Sequence, residues 1–191
     1  KMRNNEFVWI RYGKYLGGLL LTVPLLQPFL FCLIFYFVSK TNSKLQIKIN
    51  RVYTILLLVL LFIPIIMLIN ALSFHLLGNL SPQEIVTTII EEDQISYSQI
   101  FSILVLSPLI EELYFRKILL EELCQQIGSL WSILISSFYF SIVHLNILSA
   151  PTLLVLGILL GIIFQTTKSV TSCIIVHALF NLIMLFSMIM K

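Results

Sequence analysis

Residues 53–74 read YTILLLVLLFIPIIMLINALSF, an unbroken stretch without one charged side chain. A helix rises about 1.5 Å per residue, so about 20 mainly apolar residues cross a hydrocarbon core about 30 Å thick. This run is long enough, and others like it follow along the chain. Tyr15–Val38 precedes it, and Leu130–Leu148, a shorter Pro151–Gln165 and Val170–Met190 come after. A further run begins near Gln99, continues past Pro108 and ends about Leu120. Six spans are predicted, in one membrane-embedded domain over residues 1–191.

Composition agrees. Of 191 residues, 59% are hydrophobic and 11% charged, with a mean hydropathy of +1.01. Soluble domains are nearer 45–50% apolar and about 25% charged. Disorder, a disulfide scaffold, a nucleic-acid binder and nearly every water-soluble enzyme are excluded. The net charge of +3 is small and scattered, so no nucleic-acid partner is expected. Cys32, Cys124 and Cys173 are odd in number and unclustered, which reads as packing rather than redox chemistry. The partner implied is a lipid bilayer. The class is all-α: a polytopic helix bundle.

The first run lacks a small-residue cleavage site behind a short apolar core, so it reads as an anchor; Lys1 in place of Met leaves the true start open. Basic residues between the first two runs and at Arg116, Lys117 and Lys168 favour a cytoplasmic side for those segments, with the N-terminus outside. The basic N-terminal segment pulls the other way. The stretch from Ser81 to Asp93 is acidic, and Ser81-Pro82 with Glu84 resembles a helix start with a short interfacial face.

Ionisable groups inside such runs are informative, because each costs roughly 2.5–3.5 kcal/mol near a bilayer centre. Three groups of polar residues occur, each on its own span. The first is Glu111-Glu112-Leu113-Tyr114-Phe115-Arg116. Residues four apart share a helix face, so Glu112 is expected to pair with Arg116 while Glu111 points elsewhere. The second is Phe140 followed by His144 and Asn146, and the third is His177 with Asn181 four residues on. Taken singly, each has a bland reading: a helix end snorkelling to water, or a hydrogen bond between helices. Three together need one another as partners.

A glutamate and a histidine converging on a water can deprotonate it, provided burial makes the carboxylate a better base. A second histidine and an amide can stabilise the oxyanion that forms. That set describes amide hydrolysis without a covalent intermediate. The same groups can instead hold zinc, which takes two histidines and a carboxylate; Glu111, His144 and His177 would be the ligands. The HExxH of soluble zinc proteases is absent.

EExxxR, FxxxH and HxxxN, in that order on separate helices, resemble the CPBP group of intramembrane proteases. That group includes CAAX endopeptidases and the bacterial Abi enzymes of bacteriocin processing and self-immunity. The motifs run from Glu111 to Asn181, within a core of about 99–190. The resemblance implies that Glu111 and His144 activate water and that His177 and Asn181 form the oxyanion hole. Glu112 and Arg116 would support the site electrostatically, and Phe140 would pack or line a channel. It favours a metal-free glutamate mechanism over zinc, with no cofactor. It also implies a bacterial plasma-membrane location and a substrate that is a peptide or the membrane-proximal end of a protein. A catalytically silent immunity or scaffold protein and a small transporter are the alternatives; no motif is damaged and no inverted repeat is seen. His75 matches no motif and reads as a polar helix end.

Depth along the helices poses a difficulty. If the third span ends near Lys117, Glu111 lies about 9 Å from that edge, and His177 about 12 Å in from Lys168. His144 comes out about 20 Å from a start at Leu130, too deep to meet them in upright helices.

Overall fold

The computed structural model describes residues 52–77 and 96–189; the expected span Tyr15–Val38 and the acidic stretch lie outside them. Among the described residues every regular element is helical. Helix α1 is Val52–Leu77. A continuous helix, α2, covers 97–127; α3 is Ser129–Val143, α4 Ala150–Thr167 and α5 Val170–Ile189. Val52–Leu77, Ala150–Thr167 and Val170–Ser187 are each long and apolar enough to cross a membrane. Much of their outer surface is bare Leu, Ile, Val and Phe, as contact with lipid requires.

Helix α2 is longer than expected and irregular. A capping box starts it: Ser96 Oγ accepts from the Gln99 N–H, and the Ser96 N–H donates to Gln99 Oε1 at 2.9 Å. The helix widens into π geometry at Ser102–Leu106 and again at Leu113–Leu120. It runs on to Ile127, so Lys117 is not its end as the sequence suggested; Lys117 Nζ pairs with Glu121 at 2.7 Å one turn along. Gly128, at φ 78° and ψ 170°, then reverses the chain in one residue, a conformation that favours glycine.

Helix α3 ends at Val143, five residues before the expected Leu148. Leu145 turns to φ 50°, and the Asn146 side chain accepts the Ser149 N–H at 3.0 Å, so the chain bends sharply into α4. Helices α3 and α4 lie close together because small residues face each other. A Cβ added to Gly157 would stand 2.9 Å from Ser137 Cβ and 3.1 Å from its Cα. Gly161 meets Ile133 in the same way, so Gly157 and Gly161 form a GxxxG face. In lipid no hydrophobic drive separates helix from solvent, and this close approach is what holds such a pair. A polar tie joins α1 to α4, where Thr152 Oγ1 donates to Asn70 Oδ1 at 3.5 Å.

Lys168 takes a left-handed turn at φ 53° after α4, and the Ser172 N–H donates to Ser169 Oγ at the start of α5. His75 lies within the last turn of α1 rather than beyond it. Phe115, Leu120, Phe140, Leu160 and Ile163, all fully buried, form the centre between α2, α3 and α4.

Candidate active site

Chain reversal at Gly128 settles the depth difficulty. Glu111 is 17 residues before Gly128 and His144 is 16 after it. At about 1.5 Å per residue, two antiparallel arms of such length bring both side chains to the same level. The earlier mismatch came from ending α2 at Lys117 and from placing His144 inside a helix. His144 is the residue that caps α3.

Glu112 and Arg116 are both fully buried, and Arg116 Nε donates to Glu112 Oε2 at 2.8 Å, as the i, i+4 spacing predicts. The other oxygen, Glu112 Oε1, lies 2.9 Å from His177 Nδ1. A carboxylate only accepts, so His177 Nδ1 is the donor and its Nε2 faces away. His144 Nδ1 is 2.7 Å from the Phe140 carbonyl, which fixes the same tautomer and leaves its Nε2 free to accept. Phe140 is fully buried, with ring centroids 4.9 Å from His144 and 5.7 Å from His177. The Arg116 guanidinium stands 5.5 Å over the same ring.

Both free imidazole nitrogens look toward Glu111. Its Oε1 accepts from the Ser107 hydroxyl one turn back. Its Oε2 is buried without a hydrogen-bond partner, 3.8 Å from His144 Nε2 and 3.9 Å from His177 Nε2. The His144 side chain keeps 21% of its surface exposed and Glu111 14%, against 3% for His177, so access to the group comes from the Glu111 and His144 side. Asn181, one turn beyond His177, donates from Nδ2 to the Ile103 carbonyl at 2.9 Å. Asn146 stands apart from this group and serves the turn into α4.

Glu111, Glu112, Arg116, Phe140, His144 and His177 are thus one contiguous cluster from α2, α3 and α5, with Asn181 tied to the same stretch of α2. Sequence reading passed over Ser107, the hydroxyl on Glu111, and Pro108 beside it; a serine four residues before a buried glutamate was the available signal.

Zinc's usual donor types, two histidines and a carboxylate, meet here, though set wider apart than in a metal-bound site. Zn–N and Zn–O bonds of about 2.0–2.2 Å give tetrahedral ligand edges of about 3.3–3.5 Å, shorter than the 3.8 and 3.9 Å found. No cluster of three His, Cys, Asp or Glu among the described residues has metal-holding geometry.

Residues 93–183, just under half of the chain, match a protein-family model described as type II CAAX prenyl endopeptidase Rce1-like. No curated protein and no solved structure matches the chain.

Proposed function

With residues 93–183 an Rce1-like domain of the CPBP family, we propose that the protein is a multi-pass endopeptidase of the cell membrane that hydrolyses a peptide bond of a membrane-associated peptide or protein through a water held by Glu111 and His144. The observation that carries this reading is Glu111 Oε2, a buried oxygen without a hydrogen-bond partner, facing the Nε2 atoms of His144 and His177 at 3.8 and 3.9 Å. The carboxylate oxygen and the neutral His144 Nε2 are both acceptors and call for a donor between them, and one water supplies a hydrogen to each.

One water hydrogen goes to Glu111 Oε2 and the other to His144 Nε2, which aims the oxygen lone pair at the scissile carbonyl. Glu111 takes the proton as the C–O bond forms, then passes it to the leaving amine as the C–N bond breaks. His177 in its imidazolium form donates from Nε2 to the oxyanion, and the Glu112 carboxylate at Nδ1 stabilises that charge, with Arg116 neutralising Glu112 in turn. Asn181 retains a second amide hydrogen for the same oxygen. Six spans, a plasma-membrane location and leader or signalling peptides as substrates accompany this reading.

Glu111→Gln keeps the shape and removes the base. Peptide mass spectrometry of membranes from cells making the parent or the variant is expected to show uncut substrate accumulating, with turnover down by about 10²–10⁴-fold. Equal processing at equal protein levels refutes the proposal and favours a non-catalytic scaffold.

A further inference from the structure

Ser107 donates its backbone N–H to Ser102 O, five residues back instead of four, in the first widened stretch of α2. In that register the next donor, for Ile103 O, would be residue 108. Residue 108 is proline and has no N–H. The Ile103 carbonyl is the one that receives Asn181 Nδ2, at 2.9 Å. A carbonyl deprived of its helical donor by Pro108 is therefore satisfied by a side chain 78 residues later, on another helix.

We infer that Pro108 is a positioning residue for the active site: by withholding its N–H it leaves Ile103 O as the anchor that holds the Asn181 amide, and through it the His177 turn of α5, against Glu111. The inference rests on the hydrolytic reading for its catalytic consequence, while the anchor itself stands on backbone geometry. The same stretch of α2 does a second service, since Pro108 follows directly on Ser107, whose hydroxyl holds Glu111 Oε1. One interruption of α2 thus orients the base and tethers the helix that carries its partners.

The anchor is tested by a double-mutant cycle on the full chain in detergent, read by thermal unfolding. Asn181→Leu, which fills the space without a donor, is expected to lower the melting midpoint by roughly 3–10 °C. In a Pro108→Ala background the restored N–H serves Ile103, so the same substitution is expected to cost less than half as much. Equal drops in the two backgrounds overturn the anchor. If Pro108→Ala does not accumulate, Asn181→Leu alone decides, because a midpoint unchanged from the parent overturns it. The positioning role is read separately on an internally quenched peptide in mixed micelles, copying the cut site found by mass spectrometry in the Glu111→Gln comparison. Pro108→Ala is expected to lower kcat about tenfold, with KM within twofold of the parent. A parental kcat refutes positioning. If the parent protein cleaves nothing, the hydrolytic reading fails while the melting cycle still decides the anchor.

Discussion

Arg116→Met would remove the positive charge that holds a fully buried carboxylate in place. Glu112 has no surface in contact with solvent, and its two oxygens are committed to Arg116 Nε at 2.8 Å and to His177 Nδ1 at 2.9 Å. Breaking a buried pair by deleting one member costs about 3–5 kcal/mol, because an uncompensated charge is left behind. The lower end applies here. Both terminal amino groups of Arg116 are themselves buried without hydrogen-bond partners, and the substitution relieves that penalty. At about 2–4 °C per kcal/mol for a chain of this size, about 3 kcal/mol predicts a fall in melting midpoint of about 6–12 °C, measured by tryptophan fluorescence in detergent. Adding Glu112→Gln should restore most of the loss, since Gln brings no charge and its carbonyl still accepts from His177 Nδ1. A drop of less than about 2 °C in the single variant, or no recovery in the double, would refute the view that the pair matters by balancing buried charge.

Two further outcomes are expected. Gly157→Ala should cost about 1–3 kcal/mol by thermal unfolding, because its Cβ meets Ser137 Cβ and backbone. Gly161→Ala meets only Ile133 side-chain atoms and should cost less than half of that; equal losses would contradict the close-packing account. Protein treated with a zinc chelator should retain its activity and contain little zinc by elemental analysis, given the width of the Glu111–His spacing. Stoichiometric zinc with activity lost on chelation would overturn the metal-free mechanism.

What the sequence disclosed depended on whether the deciding feature was local. The Glu112–Arg116 pair follows from spacing alone, and so does the shared face of His177 and Asn181. The apolar runs located α1, α4 and α5 to within a few residues. Helix ends were harder. Lys117 looked like a membrane boundary, yet a charge paired with Glu121 one turn on sits comfortably inside a continuing helix. The end of α3 escaped hydropathy altogether, because Leu145, Ile147 and Leu148 are as apolar as the helix before them. There the stop lies in the backbone of Leu145 and the side chain of Asn146. The widened stretches of α2 had no compositional signature, although Pro108 marked where one of them had to be resolved. The contact between His177 and Glu112 joins residues far apart in the chain, and only the packed helices bring it about. The GxxxG face was in plain view, but a sequence of this composition offers many small residues, and only the Ser137 contact singles this pair out.

The reversal at Gly128 has a consequence for how this chain can change over time. With 17 residues on one arm and 16 on the other, the two arms behave as a caliper whose jaws are Glu111 and His144. Losing or gaining one residue in either arm would move a jaw by about 1.5 Å and turn it by about 100°. Substitutions between the two positions can be absorbed by repacking, whereas insertions and deletions there cannot, short of a compensating bulge. Lineages descended from this protein are therefore free to diverge in letters along the hairpin but bound to conserve its count.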